Sequence, residues 1–234
     1  MLKIQQSVIN FIFPSTCIFC NAPSKRKLDL CVACENDLPF LKNYCTRCAQ
    51  PLPEGQTICG PCLNNQLSFI RAFVLFHYQA PIDQLILGLK FNNRLVNAKI
   101  LGELLADYLC DQYQTQNKPE IIIPVPLHAS RLYERGYNQA LELARPIARK
   151  LKIRIDKSNV ERTKNTLAQA LLPAKKRQQN IKHAFGVTKA KHYKHVAVID
   201  DVITTGNTVM ELCEMLHRAG VEKIDVWCCA KAHF

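Results

Sequence analysis

The stretch Val196–Cys213, VAVIDDVITTGNTVMELC, decides the fold of this chain. An apolar run meets two adjacent aspartates, Asp200 and Asp201. Thr204, Thr205, Gly206, Asn207 and Thr208 follow, and then residues of helical habit. An apolar run without alternation is the mark of a strand buried on both faces, as in a parallel sheet. Ligands of such sheets collect at the carboxyl ends of the strands, so both aspartates fall at a candidate site. The TTGNT turn then opens a helix expected over 205–219 and closed by Gly220. The first N–H groups of a helix lack internal partners and carry the positive end of its dipole. With three hydroxyls and a glycine, the turn suits one phosphate. The aspartates suit ribose hydroxyls or a Mg2+ ion with its waters. The stretch therefore points to a phosphorylated sugar, and a plain helix cap beside two exposed acids fits the spacing equally well.

The flanking segments supply the rest of a sheet. FIRAFVLFHYQ (69–79) reads as a strand, and IDQLILGLKF and residues 94–116 have helical periodicity. EIIIPVPL (120–127) is a second buried run. Residues 138–151 read as a helix that Pro146 should kink or break. A short strand is expected in 153–161, a last strand over 222–230, and a mobile basic loop over 162–182. Alternating strands and helices imply an α/β fold with a mostly parallel sheet.

Eight of the twelve cysteines form four Cys-x-x-Cys pairs: Cys17/Cys20, Cys31/Cys34, Cys45/Cys48 and Cys59/Cys62, each ten residues from the next. Two such knuckles complete a tetrahedral zinc shell with no open position, so two structural Zn2+ ions are expected. Sequential and cross-braced pairing both fit the even spacing. The expected organisation is a zinc-binding domain over 1–66 and an α/β domain over 67–234. Cys110, Cys213, Cys228 and Cys229 read as core residues.

The net charge is +12, yet residues 118–195 alone carry +13. A basic excess this local suits a polyanion, either ligand phosphates or a nucleic-acid backbone. No run approaches the roughly 20 apolar residues of a transmembrane helix. The N-terminus, MLKIQQSVINFIFP, is too short and interrupted for a signal peptide. A cytoplasmic location is expected, with the inner face of the membrane as the alternative.

DDVITTGNT resembles the phosphoribosyl-pyrophosphate (PRPP) motif of type I phosphoribosyltransferases. The likeness extends along the chain. The four cysteine pairs, LKF (89–91), PVPLHASRLYERGYNQALELA (124–144), RTKNTLAQ (162–169), RQQNIKHAF (177–185) and this motif stand in the order of the ComF family. That family is associated with natural competence, the uptake of transforming DNA. The resemblance implies a type I phosphoribosyltransferase fold over 67–234. It implies that Asp200 and Asp201 contact ribose hydroxyls and Mg2+, and that Thr204, Thr205, Gly206, Asn207 and Thr208 hold the 5′-phosphate. Arg131 and Arg135, four apart on one helical face, would meet the pyrophosphate. Arg162, Gln169, Lys175, Lys176 and Arg177 would lie on a loop covering the site. His128 would line the pocket or cap a helix. Arg162, Lys164, Lys175, Lys176 and Arg177 are also candidates for single-stranded DNA, with Tyr133 and Tyr137 as stacking partners. The implied partners are PRPP, single-stranded DNA, and a DNA-uptake helicase or other competence proteins. Active transfer of the phosphoribosyl group to an acceptor is the alternative to binding alone.

Overall fold

A computed structural model describes residues 15–164, 183–187 and 193–232. They fall into two units, Met1–Pro39 and Phe40–Phe234. The expectations for the N-terminal 14 residues and for Gln169, Lys175, Lys176 and Arg177 lie outside the described residues.

In the first unit, Cys17 N–H donates to Ala22 O at 2.8 Å and closes a tight turn. Helix α1 (Val32–Asn36) starts at Cys31, whose sulfur accepts from Cys34 N–H at 3.4 Å. Leu30 is fully buried, and Arg26 pairs with Glu35.

The second unit repeats that turn. Cys45 N–H donates to Gln50 O at 2.7 Å, and the short helix α2 (Gly60–Asn64) follows Cys59. This knuckle packs on the sheet that follows. Leu41 N–H donates to Leu75 O at 2.9 Å, Ala72 N–H to Arg47 O at 2.8 Å, and the hydroxyls of Tyr44 and Tyr108 lie 2.7 Å apart. The compact units therefore divide between Pro39 and Phe40, whereas the cysteine pattern places its boundary at 66.

The second unit then runs through strand β1 (Arg71–His77), helices α3 (Ile82–Phe91) and α4 (Leu95–Gln112), strand β2 (Ile121–Pro124), helices α5 (Ala129–Arg135) and α6 (Gln139–Leu151), strands β3 (Arg154–Ile155), β4 (Val160–Arg162), β5 (Phe185–Val187) and β6 (His195–Ile203), helix α7 (Asn207–Arg218) and strand β7 (Lys223–Lys231). Five strands form one sheet in the order β1-β7-β6-β2-β3, every pairing parallel. The apolar runs lie where burial on both faces needs them: Val196–Ile199 and Ile121–Pro124 are all buried. β4 and β5 form a separate antiparallel ladder. No helix among the described residues is long and apolar enough to cross a membrane.

Helix α6 does not break at Pro146; it runs from Gln139 to Leu151 with the proline buried inside it. The ring lies against Gly102 of α4, and a Cβ there would overlap it and approach Leu143 O to 2.8 Å. Contact with a residue that lacks a side chain thus accommodates a proline that local propensity disfavours.

At the amino end of the sheet, Asp225 is fully buried. Tyr113 donates to it at 2.5 Å and Arg71 Nε at 3.2 Å, and His195 Nε2 lies 3.0 Å away. Burial alone would raise this carboxyl. The contacts with His195, Tyr113 and Arg71 hold it below the usual range.

Overpacking at the helix contact gives a direct check. Gly102→Ala should destabilise the chain by about 1–3 kcal/mol, measured by denaturant unfolding. An unchanged midpoint would show that α4 and α6 do not need this close approach.

Candidate functional site

Asp200 and Asp201 end the inner part of β6, the middle strand of the sheet. Successive strand residues face opposite sides, so the two carboxylates diverge. Asp201 is buried, and its Oδ1 lies 2.8 Å from the Lys90 ammonium at the end of α3. Its Oδ2 is buried without a hydrogen-bond partner among the described residues. Asp200 Oδ1 accepts the Asp201 N–H at 2.9 Å. Asp200 keeps some exposed surface, yet protein groups crowd its carboxyl. Burial, reinforced by the neighbouring Asp201 charge, pushes it up to about 7 against the pull of Lys90 and Arg162. Lys90 moves up as well: burial would lower it, and Asp201 more than reverses that.

The turn that follows opens helix α7. Gly206 sits at φ +82°, a left-handed conformation open to glycine, and forms the N-cap of α7 with no side-chain cap. The first N–H groups of α7 are therefore not capped by that residue. Thr204, Asn207 and Thr208 are half-buried and Thr205 is exposed. Lys231, buried at the end of β7, donates to Thr204 O at 2.7 Å. Lys90 and Lys231 received no role from the sequence. Lys90 lies within LKF, but a lysine at the end of an apolar helix carries no local sign of its partner.

The arginines divide. Arg131 and Arg162 share one electrostatic neighbourhood with Asp200. Burial lowers Arg162, the Arg131 charge lowers it further, and Asp200 draws it back. A bridge between His128 and Arg162 joins the β2–α5 connection to β4. Arg135 instead bonds Gln139 and lies 5.8 Å over the Phe91 ring. His128 acts as a cap, its Nδ1 accepting from Ser130 N–H at 3.2 Å. Lys164 is exposed just beyond β4, and Tyr133 is 92% exposed on α5.

The cysteines resolve into Cys17, Cys20, Cys31 and Cys34, and Cys45, Cys48, Cys59 and Cys62, so the pairing is sequential. The four sulfurs of each group lie within 4.8 Å of one another. Cys20 and Cys31 sulfurs are 3.7 Å apart, and Cys48 and Cys59 sulfurs 3.5 Å apart. A zinc tetrahedron with bonds of about 2.3 Å has edges of about 3.8 Å, so both donor sets fit the metal. Crowding of the thiols shows in their ionisation. Against burial, backbone N–H donors hold Cys17 at about 6 and Cys45 at about 7, while burial pushes Cys48 up to about 11. A bound cation removes that conflict.

Residues 8–63 match the double zinc ribbon domain family, and residues 98–233 match the phosphoribosyl transferase domain family. Over 231 residues the chain is 38% identical to competence protein F of Haemophilus influenzae, covering 96% of this chain and 100% of that protein. The chain belongs to the competence protein F (ComF) family. A second ComF relative, DNA utilization protein YhgH of Escherichia coli O6:H1, is 34% identical over 218 residues, 92% of this chain and 96% of that protein. Among solved structures, the glutamine PRPP amidotransferase from B. subtilis complexed with ADP and GMP matches with a TM-score of 0.37 at 18% identity. That match covers 56% of this chain and 25% of the amidotransferase. The ComF chain thus combines a parallel-sheet phosphoribosyltransferase fold with two four-cysteine zinc-ribbon sites.

Two measurements check this geometry. Metal analysis of the purified chain should return two zinc ions, and Cys45→Ser should retain fewer. Asp200 supplies a stability signature. Folding raises its carboxyl from 3.8 to about 7. The folded chain therefore holds a proton that the unfolded chain releases between those pH values. The stability that this group supplies is present below about pH 4 and lost as pH rises through about 7. Asp200→Asn should accordingly raise Tm by at least about 2 °C at pH 8, with the gain vanishing below pH 4. A variant less stable at pH 8 would contradict this account of the site.

Proposed function

We propose that this chain binds PRPP with Mg2+ at the end of β6, and that it serves DNA uptake or utilization by handling single-stranded DNA. The single observation that carries the PRPP reading is the buried Asp201 carboxylate with one oxygen unpartnered, three residues before an uncapped glycine turn. A buried polar atom left unpaired costs stability and calls for a ligand. Asp200 and Asp201 meet the ribose hydroxyls and Mg2+, whose role is to neutralise the ligand's phosphates. Thr204, Thr205, Gly206, Asn207 and Thr208 hold the 5′-phosphate through backbone and hydroxyl donors. Arg131, together with Arg162, faces the pyrophosphate, and Arg135 braces α5 through Gln139 and Phe91. The phosphoribosyl-binding module spans 67–234 and the metal module 1–66.

The DNA half of the proposal draws on the printed names of the relatives, competence protein F and DNA utilization protein. It draws also on the +13 charge of residues 118–195, which includes exposed Lys164 and the Lys175, Lys176 and Arg177 cluster. The place of action is the cytoplasm.

Calorimetry with PRPP and Mg2+ tests the site. The parent should bind, and Asp200→Asn combined with Asp201→Asn should bind at least about 100-fold more weakly, since two charge-assisted contacts are lost. Equal affinity would remove the site assignment. Single-strand affinity should survive in that double variant and fall with salt, with a logarithmic slope of about −0.7 per phosphate contacted. A flat salt dependence would remove the DNA half. Product analysis with candidate acceptors then separates binding from transfer.

A further inference from the structure

Arg162 is a half-buried cation with a second cation, Arg131, close by. Burial and a like charge both disfavour a guanidinium, and Asp200 offsets them only in part. The β4–β5 ladder shows what else holds it. The ladder is antiparallel, and Arg162 stands directly opposite Phe185. Residues directly opposite in an antiparallel pair share a face of the ladder. The guanidinium lies over the Phe185 ring, with Cζ 5.7 Å from the ring centre. That is within the roughly 6 Å at which the negative face of a ring attracts a cation, and exclusion of water strengthens the attraction.

The ring has a firm base. Phe185 is buried, and β5 packs against α7, the helix that starts at the glycine turn. Glu211 of α7 accepts the His183 N–H at 2.6 Å. Thr163 N–H donates to Ala184 O at 2.9 Å, which closes the ladder beside the pair. The bridge between His128 and Arg162 ties β4 to the connection that leads into α5. The arginine is thus mounted on a ladder that leans on the helix of the phosphate turn.

We propose that Phe185 is a positioning residue for the pyrophosphate end of the site: its ring holds the Arg162 guanidinium, through a cation–π contact, where the guanidinium meets the ligand's pyrophosphate. A long side chain loses rotamer freedom when it engages a ligand. A ring that holds it beforehand removes much of that cost, and the gain falls on the group that Arg162 meets. The ribose and the 5′-phosphate, held by Asp200, Asp201 and the turn, gain nothing from it. The inference rests on the reading of this site as a PRPP site, and its test separates the two.

The full-length, zinc-loaded chain is compared with Phe185→Leu, Phe185→Met and Phe185→Tyr by calorimetry with two probes, inorganic pyrophosphate and ribose 5-phosphate, each with Mg2+. Leu and Met keep apolar bulk and remove the ring, so either serves should the other fail to fold. Both should weaken pyrophosphate about tenfold and leave ribose 5-phosphate at the parental affinity. Phe185→Tyr keeps the ring and should bind pyrophosphate as the parent does. Parental affinity for pyrophosphate in the Leu and Met variants would overturn the proposal. Equal weakening of both probes would overturn it too, since that is the mark of a merely structural role. A second measurement needs no ligand. Arg162→Gln should shift the denaturant midpoint of the parent and shift it less in Phe185→Leu, where the contact is already gone. Equal shifts would overturn the contact itself. A parent that binds ribose 5-phosphate but not pyrophosphate would overturn the role of Phe185. A parent that binds neither would remove the PRPP reading, and the unfolding comparison then upholds or overturns the contact.

Discussion

A buried ammonium against a buried carboxylate makes the end of β6 possible. Two adjacent aspartates at the end of a central strand repel each other and lose water at the same time. Lys90 reaches from the end of α3 to Asp201 and neutralises one of them. The helix after β1 is thereby tied to the strand that carries the site. Because the two side chains diverge across the sheet, Lys90 offsets one charge fully and the other only in part. Asp200 remains under electrostatic stress. Strain of this kind persists at positions where a ligand relieves it.

The two cysteine knuckles share a local design and differ in setting. Each closes a turn through a Cys N–H bonded five residues on, and each gathers four sulfurs. The first sits in the small unit Met1–Pro39, too short to bury a core of its own without a metal. The second is joined to the sheet by backbone hydrogen bonds from Leu41 and Ala72. The same motif therefore stabilises a small unit in one place and is built into the side of a sheet in the other.

Much of this architecture was legible in the sequence because it rests on local and periodic signals. The apolar runs of β2 and β6, the glycine turn and the cysteine spacing each need only a few consecutive residues to declare themselves. What was hidden depends on long-range pairing. The sequential cysteine grouping needed the fold, since even spacing permits either arrangement. Lys90 and Lys231 look like ordinary lysines until α3 and β7 bring them to the turn. Arg162 counted as part of a basic stretch, and only the bridge to His128 places it beside Arg131 and Asp200. Pro146 was misleading for the converse reason: its helix-breaking habit is local, and Gly102 accommodates it from 44 positions away in the chain.

The two ends of the sheet treat their acids differently. Asp225 is saturated, with Tyr113, Arg71 and His195 on its oxygens, while Asp201 keeps an unpaired oxygen. Loss of Asp225 would strip the buried Tyr113 hydroxyl of its acceptor and take a partner from His195 and Arg71, so its variants would be thinned by cellular quality control. A change at Asp200, whose raised carboxyl costs stability at neutral pH, would leave the chain abundant. A survey that scored only protein level would therefore mark Asp225 as essential and Asp200 as dispensable.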